Sequence, residues 1–207
     1  MSAPLVAVLD YGIGNLRSAE KALAKVGADA RLTADPDVIA RADGVVLPGV
    51  GAFGACARAL RDTGLDALAR KAVDADVPFF GICIGMQLLY EASEEDPGEE
   101  GLGILAGTVR RLPDGVKRPQ MQWNELSVVG DPAPFAGLER PLWVYFVHSY
   151  AAEPGPDVVA TCDYGGPVVA AVERGNVMAT QFHPEKSGSA GIALMANFAR
   201  MVGEVAP

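Results

Sequence analysis

Apolar and polar positions follow two rhythms along the N-terminal half of the chain. Short β-branched or aliphatic runs at Leu5 to Leu9, Ala28 to Leu32, Gly44 to Leu47 and Val77 to Ile82 read as buried strands. Between them, Ala-rich stretches at Asn15 to Val26, closed by Gly27, at Ala52 to Leu60 and at Leu65 to Val73 space their apolar residues along one helix face. This succession predicts an α/β fold of three layers: a mostly parallel, doubly wound central sheet with flanking helices.

The second half reads as richer in strands, at Ile104 to Arg110, Trp143 to Tyr150, Val158 to Cys162, Val168 to Glu173 and Val177 to Phe182, before a last helix from Ser189 to about Val202. DPAPFAG and GGP read as turns, and the acidic stretch SEEDPGEEGLG at 93 to 103 as a solvated loop. No internal repeat or low-complexity segment divides the chain, so residues 1 to 207 are expected to form a single domain.

One boundary carries chemistry. A strand ending at Ile82 and a helix expected from Ile84 to Glu91 leave Cys83 alone to reverse the chain, with Gly81 two residues before it and Gly85 two after. A nucleophile elbow has this form: a strained pivot flanked by small residues that let strand and helix approach. A thiol at the start of a helix is also more readily ionised. A buried cysteine acting as a small hydrophobe remains the alternative.

Composition removes several other functions. The net charge is −9 with no cluster of Lys and Arg, which disfavours nucleic acid. The most apolar window, Val77 to Tyr90, is too short to span a bilayer and holds two glycines and a Gln. The start, MSAPLVAVLDYG, has no secretory character, so a cytoplasmic protein without membrane attachment is expected. Cys56, Cys83 and Cys162 have no metal-ligand spacing and suit reduced thiols; no metal or cofactor is expected.

A thiolate nucleophile needs a base, and the chain has two histidines, His148 and His183. In QFHPEKSG, Glu185 follows His183 at i+2; on extended backbone both point to one side, where the carboxylate can hold one ring nitrogen while the other faces the thiol. No acid stands two residues from His148, which reads as a strand-end residue whose neighbouring backbone lines the pocket. LPGVGAF at 47 to 53 follows a strand and lies at the sheet edge where ligands collect; Gly49 and Gly51 let its N–H groups turn inward as an oxyanion hole, or else mark an ordinary turn.

Together these motifs, with DYGIGNLRS at 10 to 18, MQWNEL at 121 to 126 and YFVHSY at 145 to 150, closely resemble the class I glutamine amidotransferases of flavodoxin-like fold. Within them the likeness is to the glutaminase subunits of imidazole glycerol phosphate synthases. The resemblance implies attack of Cys83 on the side-chain amide of glutamine, with His183 moving protons and Glu185 orienting it. It further implies an oxyanion hole of Gly49, Val50 and the Ile84 N–H, and a glutamine site of Gly51, Gln87, Glu95 and the backbone around His148, Ser149 and Tyr150. The ammonia would pass to a separate cyclase subunit, a (β/α)8 barrel, facing Asn15, Trp123 and Lys186. From residue type alone those three read equally as a helix N-cap, a core aromatic and a surface lysine. One departure stands out: the family's usual His-Met-Gly-Trp-Asn is here Gln120-Met121-Gln122-Trp123-Asn124.

Other readings stay open at this point. A glutaminase subunit serving pyridoxal phosphate or anthranilate synthesis would share the chemistry. A non-catalytic domain on the same fold, or a peptidase-like or chaperone-like relative with an elbow cysteine, would not.

Overall fold

A computed structural model describes residues 3 to 205. Its first half runs β1 (Leu5–Leu9), α1 (Leu16–Lys25), β2 (Asp29–Thr33), α2 (Pro36–Ala40), β3 (Gly44–Gly49), α3 (Phe53–Asp62), α4 (Leu65–Asp74), β4 (Phe79–Cys83) and α5 (Ile84–Gln87). The second half runs β5 (Ala92–Ser93), β6 (Thr108–Arg111), β7 (Gln120–Glu125), β8 (Ser127–Val128), β9 (Trp143–His148), β10 (Tyr150–Ala152), β11 (Val158–Asp163), β12 (Pro167–Arg174), β13 (Val177–Thr180) and α6 (Gly188–Val205).

The main sheet has eight strands in the order β2-β1-β3-β4-β13-β12-β11-β8. From β2 to β13 neighbours are parallel; β12, β11 and β8 join antiparallel. Every residue of β3 and of β4 is buried, as expected for strands covered on both faces. Helix α1 packs against α6, while α4 packs against α2 and α3, giving a helical layer on each side of the sheet. On the α6 side the Phe80 and Phe198 rings meet with centroids 5.3 Å apart. The three-layer, mostly parallel α/β architecture is the one expected.

Several elements differ from the sequence reading. The helix after Cys83 ends at Gln87 rather than Glu91, because the N–H groups of Leu89 and Tyr90 turn to the carbonyls three residues back and that of Glu91 goes to the Gly107 carbonyl. The carbonyls of Leu88, Leu89, Tyr90 and Glu91 accept from the N–H groups of Leu102, Leu105, Gly103 and Gly101. Residue 101 has to be glycine there, since a Cβ would overlap the Tyr90 carbonyl. The same return path delays the expected strand at 104 to Thr108. The acidic stretch is also tied down rather than freely solvated, with Glu99 paired to Arg58 and Arg61 and Glu94 to Arg110.

The expected strand from 143 to 150 is two strands broken at Ser149. β9 pairs with β7 in a two-stranded ribbon, and β10 pairs with β6 in a separate small sheet. β7, β8 and α2 had no clear hydrophobic signature; in β7 only Gln120 is fully buried.

Candidate functional site

The site grows from the carboxyl ends of β3, β4 and β13, which lie side by side. In register, Gly49 is beside Cys83, and Thr180 beside Ile82, so the chain leaving β13 at Gln181 to His183 passes next to the elbow. Cys83 itself has φ +56°, a left-handed conformation unusual for a residue with a side chain. The flanking glycines make that pivot possible. A Cβ at Gly81 would lie 2.9 Å from the Gly85 carbonyl oxygen, and one at Gly85 would overlap the Leu47 carbonyl. Strand and turn therefore pack backbone to backbone, and the thiol is presented at the edge with 3% exposure.

His183 is buried, and its Nδ1 stands 2.8 Å from Glu185 Oε1. Pro184 opens a short 3-10 turn over Pro184–Lys186 that brings the carboxylate back to the ring. Ser187 clamps this turn, its hydroxyl donating to the His183 carbonyl at 2.6 Å and accepting from Tyr145 N–H at 2.9 Å. Burial works against a charged His183 ring, but the adjacent Cys83 sulfur and Glu185 carboxylate outweigh it and push its pKa up to about 9. Nε2 has no hydrogen-bonded partner among the described residues, leaving it available at the side where the sulfur lies. The nucleophile, base and orienting acid expected from the sequence are thus brought together.

A cavity of about 260 Å³ opens over the thiol, lined by Val50, Gly51, Cys83, Ile84, Gln87, Glu95, Pro119, Val147, His148, Ser149, Tyr150 and His183. Of the expected oxyanion residues, Val50 and Ile84 line it. Gly49 does not: it is packed where a Cβ would lie 3.0 Å from Ile84 Cβ, and it borders a separate cleft behind the triad. Gly51, Gln87, Glu95, His148, Ser149 and Tyr150 all reach the cavity. Glu95 is anchored by a tie invisible in sequence, one carboxylate oxygen accepting from Phe53 N–H at 2.7 Å at the start of α3. Pro119 and Val147 were not foreseen as lining residues.

Asn15, Trp123 and Lys186 lie around the triad rather than in the cavity. Asn15 borders the cleft that also exposes His183 and Glu185, and it occupies the N-cap position of α1 without a side-chain cap bond. Lys186 is exposed in the turn after Glu185, and Gly188 beyond it lies against Trp123. Trp123 is 48% exposed and Met121 60%, so β7 shows an apolar outer face.

The inner end of β7 explains the motif's departure. Gln120 is fully buried opposite His148, its amide 3.0 Å from His148 Nε2 and 3.7 Å from Cys162 Sγ, while His148 Nδ1 is 2.8 Å from the Tyr150 carbonyl. Burial, and then the nearby charge of His183, lower the His148 pKa to about 4 against the opposing carbonyl contact, so the ring is neutral. A neutral imidazole has one N–H, and a backbone carbonyl can only accept, so Nδ1 carries the proton. Gln120 lies with Oε1 toward the ring Nε2 and with its own Nε2 toward Cys162 Sγ, but the neutral ring needs a donor at that place, and only the amide turned over, NH2 to the ring and oxygen to the thiol, satisfies it. His148 is occupied in supporting the cavity wall. Gln120 serves that inner network, while Gln122 is exposed on the outer face.

The model of the glutamine amidotransferase class-I family matches residues 7–202 of this chain. The chain belongs to that family. Among curated proteins this amidotransferase is similar to the imidazole glycerol phosphate synthase subunit HisH of Symbiobacterium thermophilum, 48% identical over 199 residues, covering 95% of this chain and 94% of the relative. The HisH subunit of Methanothermobacter thermautotrophicus is 48% identical over 200 residues, covering 96% and 99%. Among solved structures, a glutamine amidotransferase crystal structure superposes with a TM-score of 0.75 at 24% identity, covering 96% of this amidotransferase and 98% of that chain, a likeness of fold. Among the described residues no group of His, Cys, Asp and Glu could hold a metal ion, and no helix is long and apolar enough to cross a membrane.

Proposed function

We propose that this chain is the glutaminase subunit of an imidazole glycerol phosphate synthase, acting as one amidotransferase domain over residues 1 to 207. The observation that carries the reading is the His183–Glu185 contact of 2.8 Å beside a strained Cys83 in a cavity of about 260 Å³. Near full-length similarity to HisH subunits supports the pathway.

Glutamine binds with its side-chain amide over the sulfur. The sulfur attacks as the thiolate, its proton already held on the charged His183 ring, and forms a bond to the amide carbon. The resulting oxyanion takes hydrogen bonds from N–H groups of the elbow, at Ile84, and of the Val50–Gly51 backbone, each commonly worth about 3 kcal/mol. His183 returns its proton to the nitrogen, the carbon–nitrogen bond breaks, and ammonia leaves a glutamyl thioester on Cys83. Water, deprotonated by the same imidazole, then releases glutamate and the thiolate. Glu185 keeps the ring in the tautomer whose Nε2 faces the reaction. Glu95 suits the substrate's α-ammonium, and Gln87 Oε1, buried without a partner among the described residues, suits one of its N–H donors.

Ammonia released into water would be protonated, so it passes to the cyclase subunit, which makes imidazole glycerol phosphate and an aminoimidazole carboxamide ribotide. Asn15, Trp123 and Lys186, placed around the triad, are the proposed contacts with that subunit. Three free cysteines suit a cytoplasmic setting. The test is glutamate release from glutamine by the purified chain, alone and with its cyclase and the ribulosyl intermediate. Strong stimulation in the full mixture is expected; activity indifferent to the cyclase would refute the pathway, and none in any mixture the chemistry.

A further inference from the structure

The buried polar groups behind the cavity are ordered by one backbone carbonyl. The Tyr150 oxygen can only accept, and Gln87 Nε2 lies 3.0 Å from it and 3.0 Å from Gln181 Oε1. Both amide hydrogens of Gln87 are engaged there, which leaves its oxygen unpaired. Turning that amide over would set its oxygen against the Tyr150 carbonyl, two acceptors face to face in a buried place. The orientation of Gln87 therefore orients Gln181. Since Gln181 Oε1 accepts from Gln87, the end turned to the elbow is its NH2 group, with Nε2 3.7 Å from Cys83 Sγ. Gln181 is wholly buried, follows β13 directly and is anchored by its backbone N–H to the Ala170 carbonyl at 2.9 Å.

Resting on the glutaminase reading above, we propose that Gln181 is a further member of the amide-hydrolysing machinery, donating a hydrogen bond from its side-chain amide to the Cys83 sulfur and so favouring the thiolate. A bond to the charged form of an acid stabilises that form, and a thiolate accepts better than a thiol. The titratable groups around the sulfur are His183 from beyond β13, Tyr11 from beyond β1, Cys56 from α3 and, lining the same cavity, Glu95 from beyond β5 and His148 at the end of β9. Burial pushes the Tyr11 hydroxyl up, and the Cys56 thiol up to about 11, so both stay neutral and neither adds a negative charge beside the sulfur. His183 is a donor whose charge depends on pH; Gln181 is one that does not titrate. It also links the sulfur, through Gln87 and Tyr150, to the wall against which glutamine would bind.

The test reads the thiol itself. Alkylation of Cys83 by iodoacetamide is followed across pH in the wild-type chain, in Gln181→Met, which has similar length and no donor, and in Gln181→Asn, which withdraws the donor. Cys83→Ser gives the background from Cys56 and Cys162. The midpoint of alkylation is expected to rise by about one pH unit, with roughly tenfold slower reaction at neutral pH. Glutamate release should fall in kcat as well as in kcat/KM, a pattern that mere loosening of the substrate wall would not produce. An unchanged midpoint in either variant, shown to be folded by its thermal melt, overturns the proposal. Should the wild-type chain with its cyclase release no glutamate, the glutaminase reading fails, while the alkylation profile still decides whether Gln181 acts on the sulfur.

Discussion

Two histidines face the same cavity, each buried and each hydrogen-bonded to the residue two positions later, and their surroundings drive them in opposite directions. His183 meets a carboxylate at 2.8 Å and a thiol, and its pKa rises to about 9; His148 meets a backbone carbonyl at 2.8 Å and an amide, and its pKa falls to about 4. Burial alone lowers both. What separates them is whether an acid is present to repay the desolvation of a charged ring. A ring held near the charged state beside a nucleophile can carry protons; a neutral ring locked by two hydrogen bonds can brace a wall. The same residue type and spacing suit a reaction in one case and a scaffold in the other.

The comparison can be broken most severely at His183. His183→Asn is expected to lower kcat for glutamate release by roughly a thousandfold or more, and Glu185→Gln, which keeps the ring but not its charged partner, by about a hundredfold or more. His148→Asn should act mainly through KM, by about tenfold, because it slackens the Tyr150 carbonyl without removing a proton carrier. Steady-state kinetics on the complex with the cyclase separates these outcomes.

A sharper version gives His148 an acid of its own. In Gln120→Glu a carboxylate replaces the amide at 3.0 Å from Nε2. The His148 pKa should climb by about two units, readable by NMR, without creating a second base for Cys83. Gln120→Leu, which removes the partner entirely, should raise KM by only a few fold, since the Tyr150 carbonyl keeps its bond from Gln87.

The smallest expected effect is on stability against pH, and its two arms have opposite signs. Below a reference pKa of about 6.5 the unfolded chain protonates His148 while the folded chain does not until about 4, so stability falls as pH drops through that window. Above about 6.5 the unfolded chain loses the His183 proton while the folded chain keeps it to about 9, so stability falls as pH rises through that window. Thermal melts should show the acid arm flattened in His148→Gln and the alkaline arm flattened in His183→Gln.

The sequence made one of these histidines far more legible than the other. Glycines on both sides of Cys83 and an acid two residues beyond His183 are local signals, and the parallel sheet that brings them to one edge follows from strand and helix rhythm. The wall around His148 depends on partners distant in sequence: Gln120 across a ribbon with one fully buried residue, and Gln87 reaching the carbonyl of Tyr150. An amide's role is set by which groups it meets in space, so neither Gln120 nor Gln181 could be interpreted from its neighbours in the chain. The shortened helix after Cys83 has the same origin, since the Glu91 N–H is drawn to the distant Gly107 carbonyl instead of one four residues back.

The most direct test of this contrast is an NMR titration of the wild-type chain with 15N-labelled histidine, from about pH 4 to about pH 10, with His183→Asn to assign the two rings. The account predicts one ring that keeps its charge until about pH 9 and a second that stays neutral down to about pH 4 with its proton on Nδ1. Two rings titrating together near their ordinary value, or a His148 proton on Nε2, would contradict it.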